Sequence, residues 1–343
     1  MRRGVVAGVK ILVAVGLVAF VVLSGKIDFN NLTRLFSSPG YFIAAFGVLT
    51  LQTAITAMRL KRLLRVHGDD FPFWMMLKIT YIGAAFDLVA TTSVGGDAVK
   101  AFYVAREIPE GRRTESVSVL FVDRLMGLLG LLSLTLVAAV WSLNSLWSDA
   151  AVKPYLIGLL CVCAALLMGS FILFSRRLHD WKPLRWLIGK LPFGQTINRA
   201  YSSMRAFRER PVILLEGWAW AVSVHVLGCV AGYLLARGLG MQSAGGAPAE
   251  WSLFFVALMM SNFVSSFAPF GGIGAGQVAY TFVFERVARL LGGADLATLI
   301  QLAFALVKAP GLIAWITAKK ESLAAIESAT QKPAAPDPSN AEN

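Results

Sequence analysis

Six apolar runs, each long enough to form a membrane-spanning helix, constrain this chain more than any other feature. A bilayer core takes about 20 apolar residues as a helix. Apolar residues make up 57% of the chain and charged residues only 15%, which is typical of a polytopic membrane protein and not of a soluble domain. The sequence therefore predicts an all-α, polytopic integral membrane helix bundle. The runs cover residues 5–24, 41–60, 116–142, 152–175, 212–237 and 296–318.

The two ends of the chain are interpreted differently. The first run follows Met1-Arg2-Arg3 and could be mistaken for a signal peptide. Its length and the lack of a small-residue cleavage site favour an uncleaved helix. Residues 326–343 are polar and are predicted to form a disordered cytoplasmic tail, so the predicted transmembrane domain covers residues 1–325.

Lysine and arginine residues predict the orientation. The net charge is +12, and basic residues concentrate in alternate loops, most densely in 176–210, whereas 143–151 and 238–250 contain none. Basic loops stay on the cytoplasmic side and attract anionic lipid. We therefore expect a multi-pass protein of the bacterial inner membrane with both termini in the cytoplasm. The positive charge is attributed to topology and lipid contact, and no nucleic acid partner is expected.

Two further apolar segments are each interrupted by a glycine pair. Residues 73–112 contain Gly95-Gly96, and residues 251–290 contain Gly271-Gly272. The orientation requires each segment to leave the membrane on the side where it entered, either as a broken, re-entrant hairpin or as two full crossings. Backbone exposed at such breaks persists in a membrane only where it lines protein or a watery cavity.

The order of these segments predicts an internal symmetry. A span, a hairpin and a second span follow one another in residues 41–142, and again in residues 212–318 in the opposite orientation. The chain is thus predicted to have six full spans plus two broken hairpins in an inverted-repeat arrangement. Matching breaks in two inverted halves indicate the site of a secondary transporter.

Ionisable residues within apolar segments are candidates for function, because each costs at least about 2.5 kcal/mol to insert. Arg124 lies about 12 Å along the helix from Ser116. Its neighbour Asp123 points about 100° away, so each side chain is expected to find its own partner across the bundle. Asp87, Asp97 and Asp123 are candidates for charge coupling. The predicted substrate-binding residues are Gly95, Gly96, Asp97, Lys100, Arg106, Asp123, Arg124, Gly271, Gly272, Gln277 and Lys308.

Two interpretations of these charges stay open. They are either structural ion pairs that fix helix packing or, for Lys100, Arg106, Arg124 and Lys308, a cationic track for a phosphate or another anionic headgroup. Helix N-termini at the glycine breaks would reinforce such a track, and the functional interpretation is favoured for the set as a whole. His225 is interpreted as a packing residue, and Asn262 as either a pore-lining or an interhelical hydrogen-bonding residue.

Motifs for several other functions are missing from the sequence. It has no P-loop for an ATP-driven pump and no Cys/His cluster for a metal. The glycines Gly272, Gly274 and Gly276 lack the preceding strand of a dinucleotide fingerprint. No metal, cofactor or catalytic residue is predicted, and a transporter is favoured over an enzyme without excluding one.

The glycine and arginine motifs resemble those of one known family. The motifs are Gly95-Gly96-Asp97 with Arg106, Asp123-Arg124, and Pro269-Phe270-Gly271-Gly272. They are similar to the lysylphosphatidylglycerol synthase transmembrane-region family, often labelled flippase-like, over about residues 5–320. In the family's best-understood members this region is implicated in moving an aminoacylated phospholipid between leaflets, and a separate soluble domain performs aminoacyl transfer. That domain is not expected here, and the neutral Gln277 replaces an acidic residue of the family pattern.

The resemblance and the residues together lead to one expected function and two alternatives. The expected function is translocation of a phospholipid or lipid-linked headgroup between leaflets without ATP, with membrane lipids carrying anionic or zwitterionic headgroups as partners. One alternative is a membrane-embedded lipid- or glycolipid-modifying transferase with Asp97 as base. The other is a scaffold that holds a lipid- or glycan-synthesising enzyme through the loop 176–210.

Overall fold

The computed structural model describes residues 38–89, 95–109, 113–147, 153–174, 207, 210–242, 246, 251–266 and 275–317. Regular secondary structure in these ranges is helical, which confirms the predicted class of an all-α membrane bundle. A 3₁₀ turn, Arg65–His67, follows the first helix, and a π-helical turn, Phe284–Ala288, follows the eighth. The helices are α1 Pro39–Leu64, α2 Phe73–Val89, α3 Gly95–Arg106, α4 Arg113–Leu146, α5 Lys153–Phe174, α6 Pro211–Gly238, α7 Trp251–Ser266, α8 Ala275–Val283 and α9 Gly293–Lys308.

Four of the described helical segments are long and apolar enough to cross a membrane. They correspond to four of the predicted spans, and the predicted run 152–175 forms the 22-residue helix α5. The predicted first span, 5–24, and the predicted tail, 326–343, lie outside the described residues. The four segments are Pro39–His67, Ser118–Trp141, Pro211–Gly238 and Gly293–Thr317.

Within the segment 73–112, residues 73–89 and 95–106 form two antiparallel helical arms, α2 and α3. The arms are in very close contact, because a β-carbon on Gly96 would overlap the carbonyl oxygen of Gly83. The described parts of the arms have 17 and 12 residues and are about 25 and 18 Å long.

The segment 251–290 has the same layout, with α7 of 16 residues and α8 of nine. The hydroxyl of Tyr280 on α8 donates a hydrogen bond to the amide oxygen of Asn262 on α7. Asn262 therefore joins the two arms to each other, which is the interhelical alternative considered for it. Gly271 and Gly272 lie outside the described residues.

Helices α1 and α6 form the most extensive helix–helix contact among those described. A bidentate ion pair links them, with Arg62 Nε and Nη2 at 2.7 and 3.2 Å from the two carboxylate oxygens of Glu216. The contacts made by α1–α4 then recur among α6–α9. Four pairs of helices are in contact in the first half: α1–α2, α2–α3, α3–α4 and α1–α4. Their counterparts in the second half, in the same order, are α6–α7, α7–α8, α8–α9 and α6–α9.

Contacts between the two halves recur in the same way. Helix α4 packs on α6 and α7, and α9 packs correspondingly on α1 and α2. Small residues allow these backbones to approach closely, as is common in membrane bundles. A β-carbon on Gly130 of α4 would lie 2.8 Å from that of Ala221 on α6, and one on Gly311, beyond α9, would overlap the carbonyl oxygen of Tyr81 on α2.

Candidate functional site

Asp97 is the centre of a charged cluster formed by two neighbouring helices. It lies in the first turn of α3, where the helix dipole favours a negative charge. Its Oδ2 accepts a hydrogen bond from Arg124 Nη1 of α4, and its Oδ1 accepts one from Lys100 Nζ at 3.2 Å. One carboxylate is thus bound by two cations, one on each of its oxygens.

Asp87 joins the cluster from the other arm of the hairpin. Its Oδ1 accepts a hydrogen bond from the backbone N–H of Gly96 at 2.9 Å, which satisfies one of the free amides at the start of α3. Lys100 passes across α2 at Gly83, where a β-carbon would lie 2.6 Å from Lys100 Cγ. The glycine therefore makes room for the lysine, which is 8% exposed.

Lys308 brings a third cation, from α9. It interacts electrostatically with Asp87 and Lys100, and its Nζ lies 5.4 Å from the centre of the Phe304 ring. Asp87, Asp97, Lys100, Arg124 and Lys308, named here the five-charge cluster, come from four helices. At their usual charges they carry two negative and three positive charges, so these five described residues together have an excess of one positive charge.

The members of the Asp97 ion pairs differ in exposure. The side chain of Arg124 is 46% exposed, against 20% for Asp97 and 10% for Lys100. Phe121, one turn before Arg124 on the same face of α4, and Phe102 of α3 are also exposed. Arg124 is therefore accessible, and an exposed apolar side chain of its own helix lies one turn away.

Asp123 does not belong to this cluster. Its Oδ1 lies 2.7 Å from Arg59 Nε of α1, and both side chains are only 7% exposed. On the next turn of α4, the carbonyl oxygen of Gly127 lies 3.0 Å from His225 Nε2 of α6. This contact agrees with the interpretation of His225 as a packing residue. Asp123 and Arg124 have separate partners, as their spacing on the helix predicts.

The remaining predicted site residues are not placed in the cluster. Arg106 lies nine residues after Asp97, about 14 Å away along α3, and its guanidinium carbon lies 5.9 Å from the centre of the Phe102 ring. Gln277 belongs to the first turn of α8, but its side chain, like Gly271 and Gly272, lies outside the described residues. Their roles in substrate binding stay predictions.

Sequence reasoning misses two residues that organise this region. Arg59 stands at the end of the predicted span 41–60 and is not among the predicted site residues, although α1 continues to Leu64 and buries it. Gly83 is a glycine inside an apolar helix, which indicates in general that another backbone approaches it closely. The sequence does not indicate which residue does so.

The arrangement can bind an anion, because two cations share one carboxylate and one of them, Arg124, is accessible. Among the described residues, no group of three His, Cys, Asp or Glu side chains could hold a metal ion.

A family model described as the lysylphosphatidylglycerol synthase TM region matches residues 7–314 of the chain. No curated protein and no solved structure matches it.

Proposed function

Because this chain belongs to the lysylphosphatidylglycerol synthase transmembrane-region family, we propose that it moves a phospholipid or a lipid-linked headgroup between the leaflets of a membrane without ATP. The observation that carries this proposal is the convergence of Lys100 and Arg124 on Asp97. Charged groups cost free energy within a membrane. A cluster of charged side chains from four helices can stabilise a polar headgroup as it crosses.

The depth of the cluster supports the proposal. We take the end of α3 at Arg106 and the start of α4 at Arg113 to lie near the cytoplasmic surface. Asp97 is then about 14 Å deep and Arg124 about 16 Å deep. The two helices give similar depths independently, and both lie near the middle of a ~30 Å core. Midplane binding at a broken helix is the usual arrangement in secondary transporters.

We also propose the inverted-repeat topology, with α1–α4 and α6–α9 inserted in opposite orientations and both termini in the cytoplasm of a bacterial cell. The recurring contacts of the two halves support it. We take the two hairpins to be re-entrant segments that dip into the membrane and return on the side where they entered. The hairpins are then the elements that move during transport, with the acyl chains remaining in the bilayer.

Leaflet exchange in liposomes tests the proposal. The purified protein is reconstituted with fluorescent phospholipids, and exchange is followed by dithionite quenching. We expect exchange with the wild-type protein and its loss in Arg124→Ala. Arg62→Ala is the matched control, because Arg62 has a similarly exposed side chain (43%) that pairs with a carboxylate.

Normal exchange by Arg124→Ala would contradict the proposed site. Loss of exchange in both variants would show that breaking either ion pair stops exchange, so that the result would not identify Arg124 as part of the site. If the wild-type protein exchanges none of the tested lipids, turnover of a labelled sugar-nucleotide donor would favour the transferase alternative. Capture of a synthesising enzyme through the loop 176–210 would favour the scaffold alternative.

A further inference from the structure

We propose that Lys100 and Arg124 form a binding site for the phosphate of a phosphodiester lipid, and that Asp97 occupies this site until the lipid displaces it. The inference rests on the proposed function for its membrane setting.

The geometry of the ion pairs is the first argument. Lys100 and Arg124 bind different oxygens of the Asp97 carboxylate. A phosphodiester also presents two unesterified oxygens that share one negative charge. Arginine binds carboxylates and phosphates through the same donors. The Asp97 carboxylate thus has the charge and the paired acceptors of the proposed ligand.

The net charge of the five-charge cluster is the second argument. Among its five described residues the three cations outnumber the two carboxylates by one. An unbalanced charge is costly in a region of low dielectric constant. A ligand with one negative charge neutralises the cluster, whereas a phosphomonoester with two negative charges reverses its sign. The cluster is therefore suited to a phosphodiester.

The direction of exposure is the third argument. Arg124 is the most exposed member of the Asp97 ion pairs, and the apolar side chain of Phe121, one turn before it on α4, is also exposed. A ligand that reaches Arg124 from this side contacts apolar surface with part of its structure and the guanidinium with another. This requirement favours a lipid that enters sideways from the bilayer over a free anion.

Native mass spectrometry of the detergent-solubilised protein tests the inference with four probes: phosphatidylglycerol, phosphatidic acid, diacylglycerol and inorganic phosphate. We expect Asp97→Asn to bind phosphatidylglycerol about fivefold more tightly than the wild type, the factor for one partly exposed ion pair. We expect Lys100→Gln to bind it more weakly, because a cation of the site is lost.

Two control variants separate competition from a general change in charge. Glu216→Gln also removes a carboxylate that pairs with an arginine, but far along the chain on α6, and should leave binding unchanged. Asp87→Asn removes the other carboxylate of the cluster while keeping an oxygen for the Gly96 amide. It should increase affinity less than Asp97→Asn does. Equal increases would mean that charge alone is responsible and would overturn the proposed competition.

Other outcomes would overturn other parts of the inference. Weaker or unchanged binding by Asp97→Asn would make Asp97 a positioning residue and not a competitor. If this variant does not fold, Asp97→Ala and the wild-type series replace it. Wild-type protein that binds diacylglycerol as well as phosphatidylglycerol has no phosphate site. Tighter binding of phosphatidic acid overturns the charge argument, and equal competition by inorganic phosphate overturns the lipid as ligand.

Failure of this inference is distinguishable from failure of the proposed function. Leaflet exchange by the wild type with unchanged affinity in Asp97→Asn leaves the function standing and removes the competition. Raised affinity in Asp97→Asn without wild-type exchange leaves a lipid-binding site in a protein that does not translocate lipid.

Discussion

Asp123 and Arg124 are adjacent on α4, yet they bind partners on two different helices, Arg59 of α1 and Asp97 of α3. The first pair is buried, and in the second the Arg124 side chain is 46% exposed. Helix α4 therefore makes a buried ionic contact with α1 and a more accessible one with the first hairpin. The two pairs should differ in what they contribute to stability and to transport.

Asp123→Ala should destabilise the fold by about 3 kcal/mol or more, because it leaves the buried Arg59 without its partner. Arg124→Ala should cost no more than about 1 kcal/mol, since a partly exposed pair contributes little. Thermal unfolding in detergent measures both effects. The double change Arg59→Met with Asp123→Leu should recover part of the lost stability. Equal losses in the two single variants would contradict this division between a structural and an accessible pair.

Gly96→Ala should separate the arms of the first hairpin, because the added methyl group overlaps Gly83 and the Asp87 carboxylate. We expect a loss of about 1–3 kcal/mol, as for other overpacked sites, together with loss of lipid exchange. Gly47→Ala on α1 is the matched control, since a β-carbon there meets nothing within 4 Å. It should be neutral or stabilising by up to about 1 kcal/mol. A Gly96→Ala protein as stable as Gly47→Ala would argue against the close packing of the arms.

Lys308→Met should reduce the preference for anionic over zwitterionic phospholipid, because it removes the excess positive charge of the five-charge cluster. We expect the ratio of the exchange rates of phosphatidylglycerol and phosphatidylcholine to fall about three- to tenfold. Lys61→Met is the control. Lys61 is half-buried and its Nζ lies 3.5 Å from Asp70, outside the cluster. An unchanged ratio in Lys308→Met would exclude Lys308 from headgroup selection.

Single cysteines at exposed positions should report the proposed orientation. After replacement of the three native cysteines, an impermeant maleimide should label Gln242→Cys from outside intact cells. It should label Pro109→Cys only after permeabilisation, because the α3–α4 connection faces the cytoplasm in the proposed topology. Positions 109 and 242 are both exposed in the structure, so a difference in labelling reports the side of the membrane and not burial of the cysteine. Labelling of both positions from the same side would contradict the inverted repeats.

The spans and the separate partners of Asp123 and Arg124 could be predicted from the sequence, because both follow from properties of a single helix. A long apolar run identifies a span, and a helical rotation of 100° per residue separates neighbours. The partner Arg59 could not be predicted in this way. The predicted span 41–60 ends one residue after Arg59, next to a basic stretch, so Arg59 looks like part of the cytoplasmic end of the span, whereas α1 continues to Leu64 and buries Arg59.

The cluster around Asp97 could be predicted only in part. Its charged members stand out as ionisable residues in apolar surroundings, and Asp97 is close to a visible glycine break. Which residues meet depends on the register of α2 against α3, with Gly83 beside Lys100 and Asp87 beside Gly96. That register is a tertiary property. Arg106 is an arginine like Arg124 and lies on α3 like Asp97, yet its position at the other end of α3 separates it from Asp97.

The close contact of α2 and α3 has a further consequence for the proposed transport cycle. Backbone proximity at Gly83 and the hydrogen bond from Gly96 to Asp87 tie the two arms together, so Lys100 travels with the hairpin while Arg124 remains on α4. Any displacement of the hairpin changes the separation of the two cations. A ligand that bridges them therefore stabilises one position of the hairpin, and by thermodynamic linkage that position binds the ligand more tightly.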